Sequence, residues 1–397
     1  MSSAELRSGR ASISQPIVAG IVAVMTGFAS AFTIVLAGLT AVGANREQAS
    51  SGLLAVCLVA GVASVIVPWR LKRPVSFSWS TPGAAALIAA GVPGGGFSAA
   101  VGAFIVAGAL TLLAGLWLPF ERAIVAIPRP IAGGMLAGIL LPICLAPAKA
   151  ATLYPWVIIP MVIVWLILLR VAARWAVAAA MLVAVIGIVA MAGTRAFEGA
   201  DLAPHLDFVL PTFNIAAIVG IGVPLFIVTM AGQNIPGFAV LNTFGYPQTV
   251  RPALQISGVG SILGAFAGGH AVNLAALSAA MMAGPEGGPD RSRRWIASSV
   301  NGAGYIVFGL LTGIISAVVA VAPPELITAA AGLGMFSAFI SATVSAFEDA
   351  AMRLPAAVTI VVTVSGMTIA GVGSALWGLL AGLVVAAALT RRSRETS

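Results

Sequence analysis

The residues able to do chemistry in this chain are the few polar side chains that interrupt its long apolar runs. His270 is the one histidine inside such a run; the other, His205, lies in a polar stretch. An imidazole there is either a structural hydrogen-bonding group or the in-membrane group that titrates near neutral pH. No acidic residue competes for that role at a segment centre, because Glu47, Glu121, Glu325, Glu348 and Asp349 all fall near segment ends. Glu348 and Asp349 are placed to act as gate or helix-cap charges. Asn273 follows His270 by three residues, and the adjacent pair Gln233-Asn234 stands in the middle of another apolar run. Buried amides are costly unless hydrogen-bonded. They serve either as donors to a carboxylate ligand or as glue between helices. Pro236-Gly237 just beyond them loosens the helix locally. A fourth group, Ser80-Thr81-Pro82-Gly83, has a hydroxyl N-cap followed by proline, the signature of a helix start. Phe28, Phe32, Trp79, Phe238 and Phe266 fall near the same layer and either sandwich a flat ring or pack. The chain carries no HExxH, CxxC or Walker A string and no paired intramembrane aspartates, which argues against an enzyme, a metal site or a cofactor. Cys57 and Cys144 lie apart in apolar segments and read as small packing residues.

The elements that carry these groups are dictated by composition. Of the 397 residues, 60% are hydrophobic and only 8% charged, with a mean hydropathy of +1.08. A soluble domain carries roughly a quarter charged residues, so a water-facing sphere is excluded. Many apolar runs reach the roughly 20 residues that cross a bilayer. The net charge of +8 does not point to nucleic acid, because in a membrane protein the distribution of Lys and Arg reports topology. The polar start, Met1 to Ser14, leads into a run too long for a signal-peptide core, so no cleavable signal is expected.

Candidate spans are 15–43, 48–69, 81–92, 96–118, 129–147, 154–170, 173–193, 214–242, 249–267, 271–283, 295–321, 325–347, 354–371 and 374–390. Two of these fourteen, 81–92 and 271–283, are too short to cross as helices. With a cytoplasmic N-terminus and alternating segments, all of the 20 Lys and Arg except Arg46, Lys149 and Arg195 fall inside. That positive-inside bias puts both termini in the cytoplasm. The stretch Thr194 to Leu210, with Glu198, Asp201, His205 and Asp207, becomes an acidic outer loop near the midpoint.

The midpoint divides the chain into repeats 1–193 and 214–397 joined by the linker 194–213. Seven segments each force the second copy to enter the membrane upside down. Each half has a broken third segment: Phe77-Ser78-Trp79-Ser80-Thr81-Pro82-Gly83, and Phe266-Ala267-Gly268-Gly269-His270-Ala271-Val272-Asn273. Paired broken segments point to a transporter's binding site. A helix that starts in mid-membrane presents unpaired N–H groups and the positive end of its dipole. Two such starts make an anion site without a buried Arg or Lys, and irregular backbone at that depth must line a cavity or be buried in protein.

The string Met230 to Tyr246 (MAGQNIPGFAVLNTFGY), with Gly264 to Asn273 (GAFAGGHAVN) and Arg129 to Leu136 (RPIAGGML), resembles the bacterial benzoate:proton symporter family over essentially the whole chain. More distantly the chain is similar to uracil and xanthine permeases and sulfate-type anion carriers. The resemblance implies an all-α polytopic fold of fourteen segments in two inverted sevens. Segments 3 and 10 would each be a short strand followed by a half-helix. A core domain (15–118 and 214–321) would hold substrate against a gate domain (129–193 and 325–390). It implies symport of benzoate with protons by alternating access across the bacterial inner membrane. Substrate contacts would come from Ser80, Thr81, Gln233, Asn234, His270 and Asn273, with Phe28, Phe32, Trp79 and Phe266 around the ring and His270 coupling the proton. Nucleobase permeases carry acidic residues in segments 8 and 10; this chain has Gln233 and apolar or amide residues instead, as suits a substrate that is itself a carboxylate. The expected partners are that substrate, protons and lipid, and the resemblance leaves room for a homodimer. A nucleobase or inorganic-anion carrier of the same fold, and a passive anion channel, are the alternatives.

Overall fold

The computed structural model describes residues 13–119, 127–193, 202–246, 250–369 and 372–395. Arg7, Arg10, Glu121, Arg122, Arg195, Glu198 and Asp201, which enter the topology argument, lie outside them. The first half runs α1 (Ser14–Ala41), α2 (Arg46–Leu71), β1 (Phe77–Trp79), α3 (Thr81–Ala90), α4 (Gly96–Leu116), α5 (Arg129–Ala150), α6 (Pro155–Val171) and α7 (Ala176–Ala192). The second runs α8 (Ile215–Thr243), α9 (Val250–Ala265), β2 (Val272–Leu274), α10 (Ala276–Ala283), α11 (Trp295–Leu310), α12 (Thr312–Ala320), α13 (Pro324–Phe347), α14 (Arg353–Val364), β3 (Thr368–Ile369), β4 (Val372–Gly373) and α15 (Ser374–Glu395). Among the described residues, seven helices are long and apolar enough to cross a bilayer, with an eighth if a bent pair is one span. That pair is α11 and α12. The sequence reads 295–321 as one span, whereas the structure bends it by 55° at Leu311. The close approach beside the break is tight: a Cβ on Gly313 would lie 2.4 Å from the Leu202 carbonyl oxygen.

Local chemistry explains the other irregular element. α8 contains two π-helical turns, Ile218–Gly222 and Met230–Asn234. Each ends two residues before a proline, Pro224 or Pro236. Proline has no N–H to give the carbonyl four residues back, and its ring crowds that carbonyl. The residue at that position is Gly220 in one case and Gly232 in the other. A widened turn absorbs the lost bond, and such π-bulges recur at functional sites.

β1 and β2 form an antiparallel pair with Phe77 opposite Leu274, Ser78 opposite Asn273 and Trp79 opposite Val272. Two strands leave outward-facing groups to satisfy, and a serine closes each side. On α2, Ser64 Oγ accepts from Phe77 N at 2.7 Å and donates to Phe77 O at 3.1 Å. On α9, Ser261 Oγ accepts from Val272 N at 2.8 Å. α3 and α10 follow their strands from N-cap residues of matching backbone, Ser80 at φ −81, ψ 94 and Ala275 at φ −82, ψ 94.

The helices pack through small residues, as membrane bundles do. α4 lies along α9, where a Cβ on Gly258 would fall 2.5 Å from Leu112 N. α1 crosses the half-helix α3 closely enough that a Cβ on Gly38 would sit 2.5 Å from Ala84 O. α2 packs on α11, and α1 on both α3 and α11. A second group forms around α5, which carries α13 and α14 on its flanks, with α15 on α14. Ser64→Ala and Ser261→Ala are each expected to destabilise the protein by about 1–3 kcal/mol, since each leaves a buried strand N–H unpaired. Unfolding of the purified protein in a graded series of detergent mixtures measures this.

Candidate functional site

The two half-helix starts face the α8 π-turn, and their caps differ. At α3 the start is satisfied internally: Ser80 Oγ accepts from Gly83 N at 3.0 Å, and Pro82 has no N–H to offer. The same hydroxyl is held by Thr229 Oγ1 at 2.7 Å, from the turn of α8 just before the π-bulge. At α10 the N-cap is Ala275, which has no side-chain acceptor. The nearest substitute is Gln233, whose Oε1 accepts from Ala276 N at a long 3.4 Å. Asn234 beside it takes the firmer bond, accepting from Leu274 N at 3.0 Å while its Nδ2 donates to Met230 Sδ at 3.3 Å. The widened turn thus aims two adjacent amides at the strand-to-helix junction of its own half.

His270 braces the crossing. Its Nε2 lies 2.9 Å from Ser80 O. A carbonyl only accepts, so Nε2 carries the hydrogen and, in the neutral ring, Nδ1 is the bare nitrogen. Among the described residues, Nδ1 is buried without a hydrogen-bond partner. Ser80 N in turn donates to Ala271 O at 3.0 Å. Asn273 gives Nδ2 to Leu274 O at 2.9 Å, and its Oδ1 is likewise buried without a partner. Ser80, Asn234, His270 and Asn273 are all fully buried. They form the frame behind the helix starts.

In front of that frame is a cavity of about 360 Å³ between α3, α8 and α10 on one side and α5 and α13 on the other, within the range of small-molecule sites. Pro82 and Ala276, in the first turns of the two half-helices, both line it, and so does Gln233. Its apolar lining is aliphatic, with Ile127, Leu136, Ile227 and Ile235 the largest members. The opposite wall presents Ser337, Ser341 and Ser345, one per turn of α13, and Arg129 stands at the start of α5. Of the residues singled out from sequence, Gln233 lines this space, Thr81 is half-buried beside it, and the aromatic group lies elsewhere. Phe28 stacks on Phe32 and Phe308, with Trp79 edge-on and Tyr305 beyond it. Phe266 stacks face to face on Phe208. Arg129 and the three serines were not singled out as site residues. The serines' signal is a four-residue period on α13, which sequence alone does not orient toward anything.

Comparison with known proteins follows this geometry. The family model described as benzoate membrane transport protein matches residues 11–388. The chain is 35% identical over 367 residues to the inner membrane protein YdcO of Escherichia coli, covering 92% of this chain and 93% of that protein. It is 30% identical over 374 residues to the benzoate membrane transport protein of Acinetobacter baylyi, with the same coverage. Among solved structures, the transmembrane domain of the cyanobacterial bicarbonate transporter BicA superposes with a TM-score of 0.58 at 15% identity, covering 93% of this chain and 97% of that one. The murine anion transporter Slc26a9 in its inward-facing state gives 0.59 at 12% identity, covering 96% and 68%. These two likenesses concern the fold.

The bracing geometry separates two roles for His270. His270→Gln sets an amide donor near the place of Nε2, so it is expected to keep most of the protein's stability. His270→Ala leaves Ser80 O unpaired and is expected to cost about 1–3 kcal/mol. Equal melting of the two variants in detergent would rule out the brace.

Proposed function

The chain belongs to the benzoate membrane transport protein family, a transporter family and not an enzyme family, and from that premise we propose that it imports benzoate, or a closely similar aromatic carboxylate, together with protons. The observation that carries the reading is the cavity lined by both half-helix starts and Gln233 and, among the described residues, free of acidic side chains. The carboxylate docks at the start of α10, where the cap is weakest. It accepts from Ala276 N–H and from the Gln233 amide, whose 3.4 Å contact is readily exchanged. The positive end of the α10 dipole favours the anion. Leu136, Ile227 and Ile235 cover the ring, and the aromatic cluster around Phe28 and Trp79 is core packing. Ser80, Asn234, Asn273 and His270 position the two starts.

Transport proceeds by alternating access in a fold of fourteen segments, two inverted sevens, with both termini cytoplasmic. The repeat reading is supported by the β1–β2 pair, the matching N-cap torsions and the serine that each half supplies from its second helix. The α1–α4 and α8–α12 helices form the core, and α5–α7 with α13–α15 the gate. The cavity lies on the boundary, so sliding one group past the other moves its opening from face to face. Arg129 and Ser345 sit at the α5 and α13 ends that the positive-inside bias assigns to the cytoplasm, so the cavity as it stands opens inward. Arg129 attracts the carboxylate at that mouth and the serines offer it hydroxyl donors on the way out. The coupling proton binds His270 at Nδ1. Inorganic-anion transport is the second reading, favoured by the fold shared with BicA and Slc26a9.

Uptake of radiolabelled benzoate into proteoliposomes tests the reading. Saturable uptake stimulated by an inward proton gradient and unaffected by uracil, sulfate or bicarbonate is expected; competition by bicarbonate with no benzoate uptake would favour the second reading. Gln233→Glu places a carboxylate against the substrate's own and should reduce benzoate uptake at least tenfold, a loss of about 1.4 kcal/mol of binding. His270→Gln should transport without gradient stimulation. Full stimulation in that variant would move the coupling proton to another group.

A further inference from the structure

A groove of about 720 Å³ runs along the outside of the bundle between α2 and α9, well away from the half-helix starts. Its walls are Leu58, Val62 and Ile66 from α2 and Ile256, Val259 and Leu263 from α9, and Val62 and Leu263 are exposed. The two helices meet at its floor, where Gly260 comes so near α2 that a Cβ there would lie 2.5 Å from Val59 Cγ1. From Leu58 to Leu71 the groove measures roughly 20 Å at the helical rise. One leaflet of a bilayer with a hydrocarbon core of about 30 Å is about 15 Å deep. The groove therefore spans one leaflet's hydrocarbon and reaches about 5 Å further, into the headgroup level.

Its two ends differ in chemistry. The Leu58 and Leu263 end is aliphatic. The other end is marked by Arg70 on α2 and by Pro252 on α9, next to Arg251, and both arginines are exposed. Gln255, the other polar residue of the lining, spends its amide N–H on Gly115 O at 3.0 Å. Among the described residues, no carboxylate lines the groove. Trp69 is exposed beside Arg70, and Lys72 Nζ lies 4.0 Å from the centre of the Trp295 ring. Tryptophan and basic residues together mark the headgroup level of a membrane protein.

We propose that this groove is a binding site for one anionic phospholipid, its acyl chain lying between α2 and α9 and its phosphate on Arg70 and Arg251. Charge complementarity selects an anionic headgroup over a zwitterionic one, and the basic end assigns the lipid to the cytoplasmic leaflet. The site bears on the cavity indirectly. α2 and α9 carry Ser64 and Ser261, the serines that hold β1 and β2, so a chain wedged between these helices steadies the frame of the half-helix starts. The proposal is independent of what the cavity carries.

The test uses the full-length protein, purified and delipidated in detergent, titrated with phosphatidylglycerol or phosphatidylcholine and observed by native mass spectrometry and thermal melting. One retained phosphatidylglycerol per chain, bound at least fivefold more tightly than phosphatidylcholine and raising the melting midpoint, is expected. The Arg70→Gln/Arg251→Gln double variant should lose that preference, and Val62→Trp, which fills the groove, should lose the retained lipid of either kind. Equal retention of the two lipids by the unaltered protein would overturn the proposal, as would an unchanged preference in the double variant. A Val62→Cys protein that crosslinks to a second copy in native membranes would assign the groove to a protein contact and overturn it as well. Should Val62→Trp fail to fold, the double variant still decides.

Discussion

Every backbone N–H and C=O inside a bilayer needs a partner, because water is not there to supply one. The chain gives way to a paired strand before each half-helix, at β1 and at β2, and each such break frees groups that a helix would have satisfied. The structure meets this demand by pairing the two breaks with each other: three residues against three, with Ser80 N and Ala275 N continuing the bonding to Ala271 O and Ser76 O. What remains is closed by single side chains, Ser64 and Ser261 on the strand edges and Asn234 at Leu274 N. The two half-helices can therefore start opposite one another only because their strands are one ladder. Removing either break would orphan the other.

The same constraint explains why the polar side chains of greatest chemical promise are mostly spent on backbone. An amide or imidazole in hydrocarbon is costly unless bonded, and the backbone of a broken helix is the nearest partner. His270 serves Ser80 O, and Asn234 serves β2. Gln233 stands apart because its contact with Ala276 N is long and its residue lines the cavity. The asymmetry between the two caps then has a functional sense. A half-helix capped by its own serine is a scaffold, whereas one whose N-cap is alanine keeps its donors open to an exchangeable partner. On the proposed reading, an anion bound there would replace a weak internal contact and need no buried cation.

Packing supplies the second ingredient. Glycines on α1, α4 and α9 bring backbones into near contact within the group that carries the frame, and short-range contact of that kind is rigid. The boundary with α5 and α13 is different: a cavity occupies it, and the part of its far wall that α13 supplies is made of serines and alanines. Small side chains without interlocking shapes are what the proposed sliding of one group past the other would need. The π-turns of α8 stand on the rigid side of that boundary and owe their existence to two prolines, each with glycine four residues before it.

The amino-acid sequence by itself determined that the chain lives in a membrane, since so few charges cannot cover a water-facing surface. It also set the helix start at Thr81, because a serine N-cap before proline has that meaning wherever it occurs, and it marked the segments near 81–92 and 271–283 as too short to cross. Family membership was legible too, in strings such as Gln233 to Gly237. The tertiary structure alone decided which polar residues face a cavity and which face backbone. Gln233 and Asn234 are neighbours of similar chemistry, and one lines the cavity while the other is buried against β2. The reason is that a side chain's role in an apolar medium depends on which orphaned group it meets, and that group lies far along the chain: about 40 residues on for Gln233 and Asn234, and in the other half for His270. Arg129 and the serines of α13 show the same limit: a period of four says that they share a face, and only the packing of α13 across from α8 says what that face sees.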